Sequence, residues 1–184
     1  IMGSKVKGGE AVEVSYSHDK PPLALIFKIQ VDREAGPMSF VRVYNGTIRK
    51  ASTMYNIRAK KRERVNRILR MHANRPEEVG ELEAGDIGVI IGFKEGRTGD
   101  TIASEGSQIL LEEIKFPNPV ISIAIEPSTQ SDGDKLRSAL ATLAQEDPTF
   151  SYRDDEETGQ LVISGMGELH LDVLVTRLTK EMKI

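Results

Sequence analysis

Two folded units in series are predicted from the sequence: an all-β barrel, then an α+β domain of ferredoxin-like (split βαβ) topology that lacks its last strand. Two observations carry this expectation. Up to about residue 107, apolar residues recur at period two in short runs divided by Gly, Asn and Asp, with no long helical stripe. Beyond Phe116-Pro117-Asn118-Pro119 the apolar spacing changes to three and four in two places, with strand patterns between them.

The elements follow in order. Residues 1–19 hold Gly3, Gly8, Gly9 and scattered charges, with a short alternation at Val12 and Val14, and are expected to be an extended lead-in or linker. Barrel boundaries of 20–107 follow. Pro21-Pro22 opens a strand in which Leu23, Leu25, Phe27, Ile29 and Val31 share one buried face. Asp32 to Pro37 is a loop and Met38 to Tyr44 a second strand, rich in β-branched and aromatic residues. Further β segments are expected around Ile48, Met54 to Ile57, Val65 to Met71, Ile87 to Phe93 and Thr101-Ile102, which implies a closed or nearly closed barrel. Asn45-Gly46 is compatible with a two-residue hairpin or with a glycine bulge in one bent strand.

Residues 108–119 are a connector, because two close prolines exclude a helix interior or a central strand. The α+β domain is expected over 120–184, truncated at its C-terminus. Val120 to Ile125 is a strand. Ser131 or Asp132 caps a helix with the stripe Leu136, Ala139, Leu140 and Leu143, which Pro148 ends. Phe150 to Arg153 and Gln160 to Ser164 form a hairpin around an acidic turn. A second helix runs from Gly167 with Leu171, Leu174, Val175, Leu178 and Met182 on one face. The chain opens on Ile1 rather than Met, so the numbering is expected to describe a piece of a longer protein.

Composition narrows the chemistry. The 184 residues are 39% hydrophobic but only 5% aromatic, so the cores rest on aliphatic packing. The absence of Cys removes disulfides, thiolate zinc sites and cysteine nucleophiles. No G-x-x-x-x-G-K-[ST] phosphate loop occurs, and a GTP hydrolase needs such a loop, so this stretch is expected not to hydrolyse nucleotide. Gly165-Met166-Gly167 lacks the third glycine of a dinucleotide fingerprint, where His170 stands, and reads as a strand-to-helix turn. His18, His72 and His170 lack metal-ligand spacing, and Asp154, Asp155, Glu156 and Glu157 lack the order of a Ca²⁺ loop. No catalytic residue, metal site or cofactor is assigned.

One charge feature stands out against a net charge of −3. Arg58, Lys60, Lys61, Arg62, Arg64, Arg67, Arg70 and Arg75 are offset only by Glu63 before Glu77. A hairpin within this stretch presents its cations together, with Val65, Ile68 or Leu69, and Met71 turned inward. Such clusters suit phosphate contacts and counterion release. They also suit a solvated edge strand protected from aggregation. No aromatic residues interleave the cations, which favours backbone recognition over base stacking.

In order and at matching spacing, several motifs resemble the elongation factor G family of translational GTPases. Leu23-Ala24-Leu25-Ile26-Phe27-Lys28-Ile29 looks like its opening barrel strand. Phe40-Val41-Arg42-Val43-Tyr44-Asn45-Gly46-Thr47-Ile48 is similar to its F-x-R-V-Y-x-G-x-L segment, in which the glycine kinks a continuing strand. Lys61-Arg62-Glu63-Arg64-Val65, Met71-His72-Ala73-Asn74, Ala84-Gly85-Asp86-Ile87 and Thr98-Gly99-Asp100-Thr101 continue the likeness. So do Phe116 to Ser122, Glu146-Asp147-Pro148-Thr149-Phe150 and Gly165-Met166-Gly167-Glu168-Leu169-His170-Leu171-Asp172.

The resemblance implies an all-β translation-factor barrel and the following domain of a ribosome-dependent GTPase that drives tRNA and mRNA movement. GTP and Mg²⁺ would belong to a GTPase domain outside this stretch, and the location would be cytoplasmic, with an organelle left open. Implied partners are the ribosome, through small-subunit rRNA and a small-subunit protein, and the factor's own GTPase and distal domains. No membrane is involved. Arg58, Lys60, Lys61, Arg62 and Arg64 are the implied rRNA contacts. Phe150, Met166, Gly167, Glu168 and His170 are the implied interdomain, switch-facing residues, near the family's fusidic acid pocket. A paralogue devoted to ribosome recycling or to tetracycline protection stays open, as does a stand-alone nucleic-acid-binding barrel with a ligand-sensing α/β domain. Ala51 stands where the family commonly has a turn glycine, so that turn is expected to differ. Loss of the closing strand is expected to expose the Val120 to Ile125 edge.

Overall fold

The computed structural model describes residues 2–6, 9–32, 34–72, 75–107, 109–111, 114–127, 129 and 132–183. The chain divides into two units, 1–114 and 115–184. The first contains β1 (Met2–Lys5), β2 (Ala11–Glu13), β3 (Leu23–Asp32), β4 (Gly36–Asn45), β5 (Thr47–Arg49), β6 (Thr53–Asn56) and β7 (Lys61–Arg64). It continues with β8 (Arg67–His72), β9 (Arg75–Val79), β10 (Glu81–Glu83), β11 (Ile87–Ile91), β12 (Thr101–Ala103) and β13 (Ile109–Leu111).

The main sheet runs β7-β6-β12-β3-β4-β11-β8-β9. Only Val65 and Asn66 separate β7 from β8. Their amides bond to Ser52 O and Ile91 O, so one bent stretch of chain supplies β7 at one end of the sheet and β8, one strand in from the other end, and closes the barrel. Inside lie Ala24, Ile26, Ile29, Val41, Val43, Ile68, Ile90, Phe93 and Ile102.

Several expectations are corrected here. The buried face of β3 is not Leu23, Leu25, Phe27, Ile29 and Val31 throughout. Ile26 pairs with Val41 but Lys28 pairs with Phe40, so Phe27 is an extra residue and the strand changes face there. Ala24 and Ile26 point inward before the bulge, and Ile29 after it. Leu23 and Leu25 pack instead with Val14, Ile57, Ala103 and Leu111 in a separate cluster. β1 and β2 lie within the expected lead-in, and both β2 and β13, from the expected connector, pair with β1. Strands of three and four residues are too short to show a period.

Gly46 (φ 64°) separates β4 from β5 in a chain that continues rather than reverses, since β5 goes on to pair with β10. The hairpin alternative therefore falls. A Cβ at Gly46 would stand 2.4 Å from Lys20 O. Ala51 adopts φ 65°, the left-handed conformation that a glycine would take, and its amide bonds to Val65 O at 2.8 Å. The expected departure at this turn does not occur. Met71 is 36% exposed rather than inward, while Val65, Ile68 and Leu69 are buried.

The second unit contains β14 (Ile121–Ile125), α1 (Gly133–Glu146), β15 (Ser151–Asp154), β16 (Leu161–Gly165) and α2 (Glu168–Thr176), which runs into a π-helical turn at Arg177–Glu181. The sheet order is β14-β16-β15, so β14 is an edge with no partner on its outer side among the described residues. Leu136, Leu140 and Leu143 of α1 meet Phe150, Ile163, Leu171, Leu174 and Leu178 in one core. Asp132 occupies the N-cap position of α1 without a capping bond, its carboxylate being taken by Thr129 and Lys135. Ser131 lies outside the described residues, as do Ala73 and Asn74. At the other end Asp147, preceding Pro148, turns extended and stops the helix.

Candidate nucleic-acid interface

The basic stretch begins in the turn after β6 and runs through β7 and β8 to the start of β9, and two buried carboxylates shape its first part. Asp100 accepts from Asn56 Nδ2 (2.8 Å), Arg58 Nε (2.6 Å), Arg58 Nη2 (3.0 Å) and the Arg97 amide (2.9 Å). Arg58 also donates to Glu95 O at 2.7 Å. The Asp100 carboxylate holds the Arg58 guanidinium above its ordinary pKa, outweighing partial burial. Glu63 is the second carboxylate. It is buried and accepts the Lys94 and Glu95 amides, each at 2.9 Å. Both residues pin the 93–100 loop against the hairpin.

The predicted cations are therefore not equivalent. Arg58 is committed to the barrel. Lys61 pairs with Glu95 at 2.6 Å and Arg62 with Glu105 at 2.5 Å, both exposed pairs of the kind that contribute little to stability. Arg67 and Arg70 pair with Glu78 and Asp86. Lys60, Arg64 and Arg75 have no ion-pair partner among the described residues. Lys60 sits at φ 53°, the tip of the turn.

The charge pattern gave no structural role to Asn56, Glu63 or Asp100. A lone acid inside a basic run, and the Asp of Thr98-Gly99-Asp100-Thr101, were the available signals.

The residues expected to face a partner in the second unit divide similarly. Phe150 is 4% exposed and belongs to the core, so it is not surface presented to another domain. His170 Nδ1 accepts the Met166 amide at 3.0 Å, which leaves Nε2 protonated to donate to Asp147 Oδ2 at 2.8 Å. Asp147 Oδ1 accepts the Thr149 amide (2.8 Å) and hydroxyl (2.6 Å). Burial pushes the Asp147 carboxyl up, but the Thr149 and His170 bonds together bring it below its ordinary value. This knot ties the end of α1 to the start of α2. Gly165 permits it, because a Cβ there would stand 2.8 Å from His170 Nδ1. Gly167 is extended, and a Cβ there would meet open space. Met166 and Gly167 are half-buried and Glu168 exposed, beside Leu169 at 77% exposure.

No group of three or more potential metal ligands comes together among the described residues. No described helix is long and apolar enough to cross a membrane.

Comparison with known proteins accounts for both units. The family model for elongation factor G domain 2 matches residues 21–105, and that for elongation factor G domain III matches 116–184. Elongation factor G 1 of Treponema denticola is 51% identical over 97% of this chain, and elongation factor G 2 of Treponema pallidum 50% identical over all of it. The chain spans 26% and 27% of those relatives' lengths. A crystal structure of a Thermus thermophilus protein superposes with a TM-score of 0.73 at 28% identity, covering 88% of this chain and 24% of that one. The chain belongs to the elongation factor G family of translation factors and carries its second and third domains.

Proposed function

We propose that this chain is the ribosome-contacting and force-transmitting part of a GTPase that drives tRNA and mRNA translocation. GTP and Mg²⁺ act in a GTPase domain outside the stretch described. The observation that carries the reading is the hairpin of β6 and β7. There Lys60, Lys61, Arg62 and Arg64 share a turn and strand braced from behind by Arg58, Asp100 and Glu63. Fixed cations on a rigid element suit the phosphates of small-subunit rRNA, because less side-chain and loop entropy is lost on contact. Arg58 serves as the brace.

The second unit is the relay. Its Met166-Gly167-Glu168 turn, held by His170 and supported by Phe150, is the surface that meets the GTPase domain's switch regions. A small-subunit protein is a further partner. A relay requires contacts that differ between nucleotide states, and a turn hydrogen-bonded to two helix ends passes displacement to both. The test places Lys60→Glu, Lys61→Glu and Arg62→Glu together in the longer factor and measures ribosome binding against salt. Weaker binding with a shallower salt dependence is expected. Unchanged affinity and slope would remove the rRNA assignment.

A further inference from the structure

We propose that the depression between β6 and β7 takes one unstacked RNA base, guanine in preference to uracil, with the adjoining phosphates on Arg62 and Arg64; this deepens the rRNA-contact reading and rests on it. The strand register sets Tyr55 opposite Arg62 and Thr53 opposite Arg64, which places all four side chains on one face. Aromatic and cation are thus neighbours across strands although none interleave along the chain.

Thr53, Met54, Tyr55, Arg62 and Glu105 line a depression of about 250 Å³. Pockets for drug-sized ligands run from roughly 300 to 1,000 Å³, so this one suits a single planar group rather than a larger ligand.

The lining and Arg64, on the same face beside it, supply functions that single-stranded RNA recognition uses. Tyr55, half-buried and packed against the outer cluster of the barrel, also lines the depression and brings to it an aromatic ring of the kind on which bases stack. Arg64 has no carboxylate partner among the described residues and is available to a phosphate. Glu105 takes both Arg62 bonds on Oε1, at 3.1 and 2.5 Å, and its side chain is 61% exposed. Its Oε2 has no hydrogen-bond partner among the described residues. A carboxylate only accepts. Guanine carries two adjacent N–H donors on its Watson–Crick edge, N1–H and the N2 amino group, whereas uracil carries one. The acceptor at the rim therefore favours guanine over uracil, and the base enters beside the guanidinium that neutralises its phosphate.

The test is fluorescence anisotropy of the 184-residue chain with end-labelled hexaribonucleotides UUGUUU, UUUUUU and a version abasic at the third position. The guanosine oligomer is expected to bind about tenfold more tightly than the uridine one. In Glu105→Ala that preference disappears and the uridine oligomer binds more tightly, because Arg62 is released. In Arg62→Ala all three weaken and the salt slope falls by about 1. Equal affinity for the three oligomers in the unmodified chain, with loss in Arg62→Ala, would overturn the base pocket and leave the RNA-contact reading standing. Failure of every oligomer to bind at low salt would overturn both.

Discussion

Ala51 holds a backbone conformation that costs a side-chain-bearing residue about 1–2 kcal/mol. Glycine would remove that strain but add flexibility to the unfolded chain, worth about 0.4–1 kcal/mol in the opposite sense. Ala51→Gly is therefore expected to stabilise the first unit by ~0.5–1 kcal/mol in urea unfolding, and a destabilised variant would contradict the left-handed geometry. Gly46 and Ala51 also show how far single residues speak for themselves. Asn45-Gly46 was readable as a kink or a hairpin, because both place glycine at positive φ. The decision came from β5 pairing onward with β10 and from the Lys20 carbonyl standing where a Cβ would be. At residue 51 local preference argued against a conformation that the Val65 carbonyl, accepting the Ala51 amide, holds in place. The burial of Glu63 and Asp100 could not be read locally, since apart from the Arg97 amide the donors they accept from lie about thirty or more residues away.

At the scale of elements, the join between α1 and α2 rests on Asp147, and its behaviour with pH follows from its bonds. Thr149 and His170 lower the folded value against the rise that burial causes. The unfolded value is about 3.9, so the contribution is complete above that pH and is lost as pH falls through the folded value. Asp147→Asn turns an amide NH₂ toward the His170 Nε2–H, donor against donor, or forces the ring to the tautomer that opposes the Met166 amide. The variant is expected to lose about 1–3 kcal/mol at pH 7 and to show a shallower acid limb below pH 4. Thermal melts of the second unit across pH 2.5–7 check this, and an acid limb as steep as before would refute it. Both helices were legible because Leu136, Leu140 and Leu143, and Leu171, Leu174 and Leu178, keep helical spacing without interruption. The face of β3 was misread because the Phe27 bulge reverses it halfway, and only the partner strand reveals the extra residue. The π-helical turn at Arg177–Glu181 left no periodic trace in five residues.

Across the whole molecule, the main barrel sheet and the sheet of the second unit manage their edges differently. The barrel closes through the continuous β7–β8 stretch, with β9 paired beyond it on β8. In the second unit β14 has no partner on its outer side among the described residues, with Val120 just before it and Ile123 within it exposed. Amides on the free edge of β14 are expected to exchange with solvent at least roughly tenfold faster than those of β16, which is bonded on both sides. Equal protection by amide exchange would show that something covers the edge. Taken alone, the sequence determined the order of units, most strands of the barrel, both helices and the family. Each of those depends on spacing between near neighbours or on motifs read along the chain. The tertiary structure decided which cations are spoken for, which side of β3 faces the core, that Phe150 is interior, and that Tyr55 stands beside Arg62. Those depend on strand register and on carboxylates brought from distant loops, and pairing across a sheet is set by the whole closed surface rather than by any one segment of it.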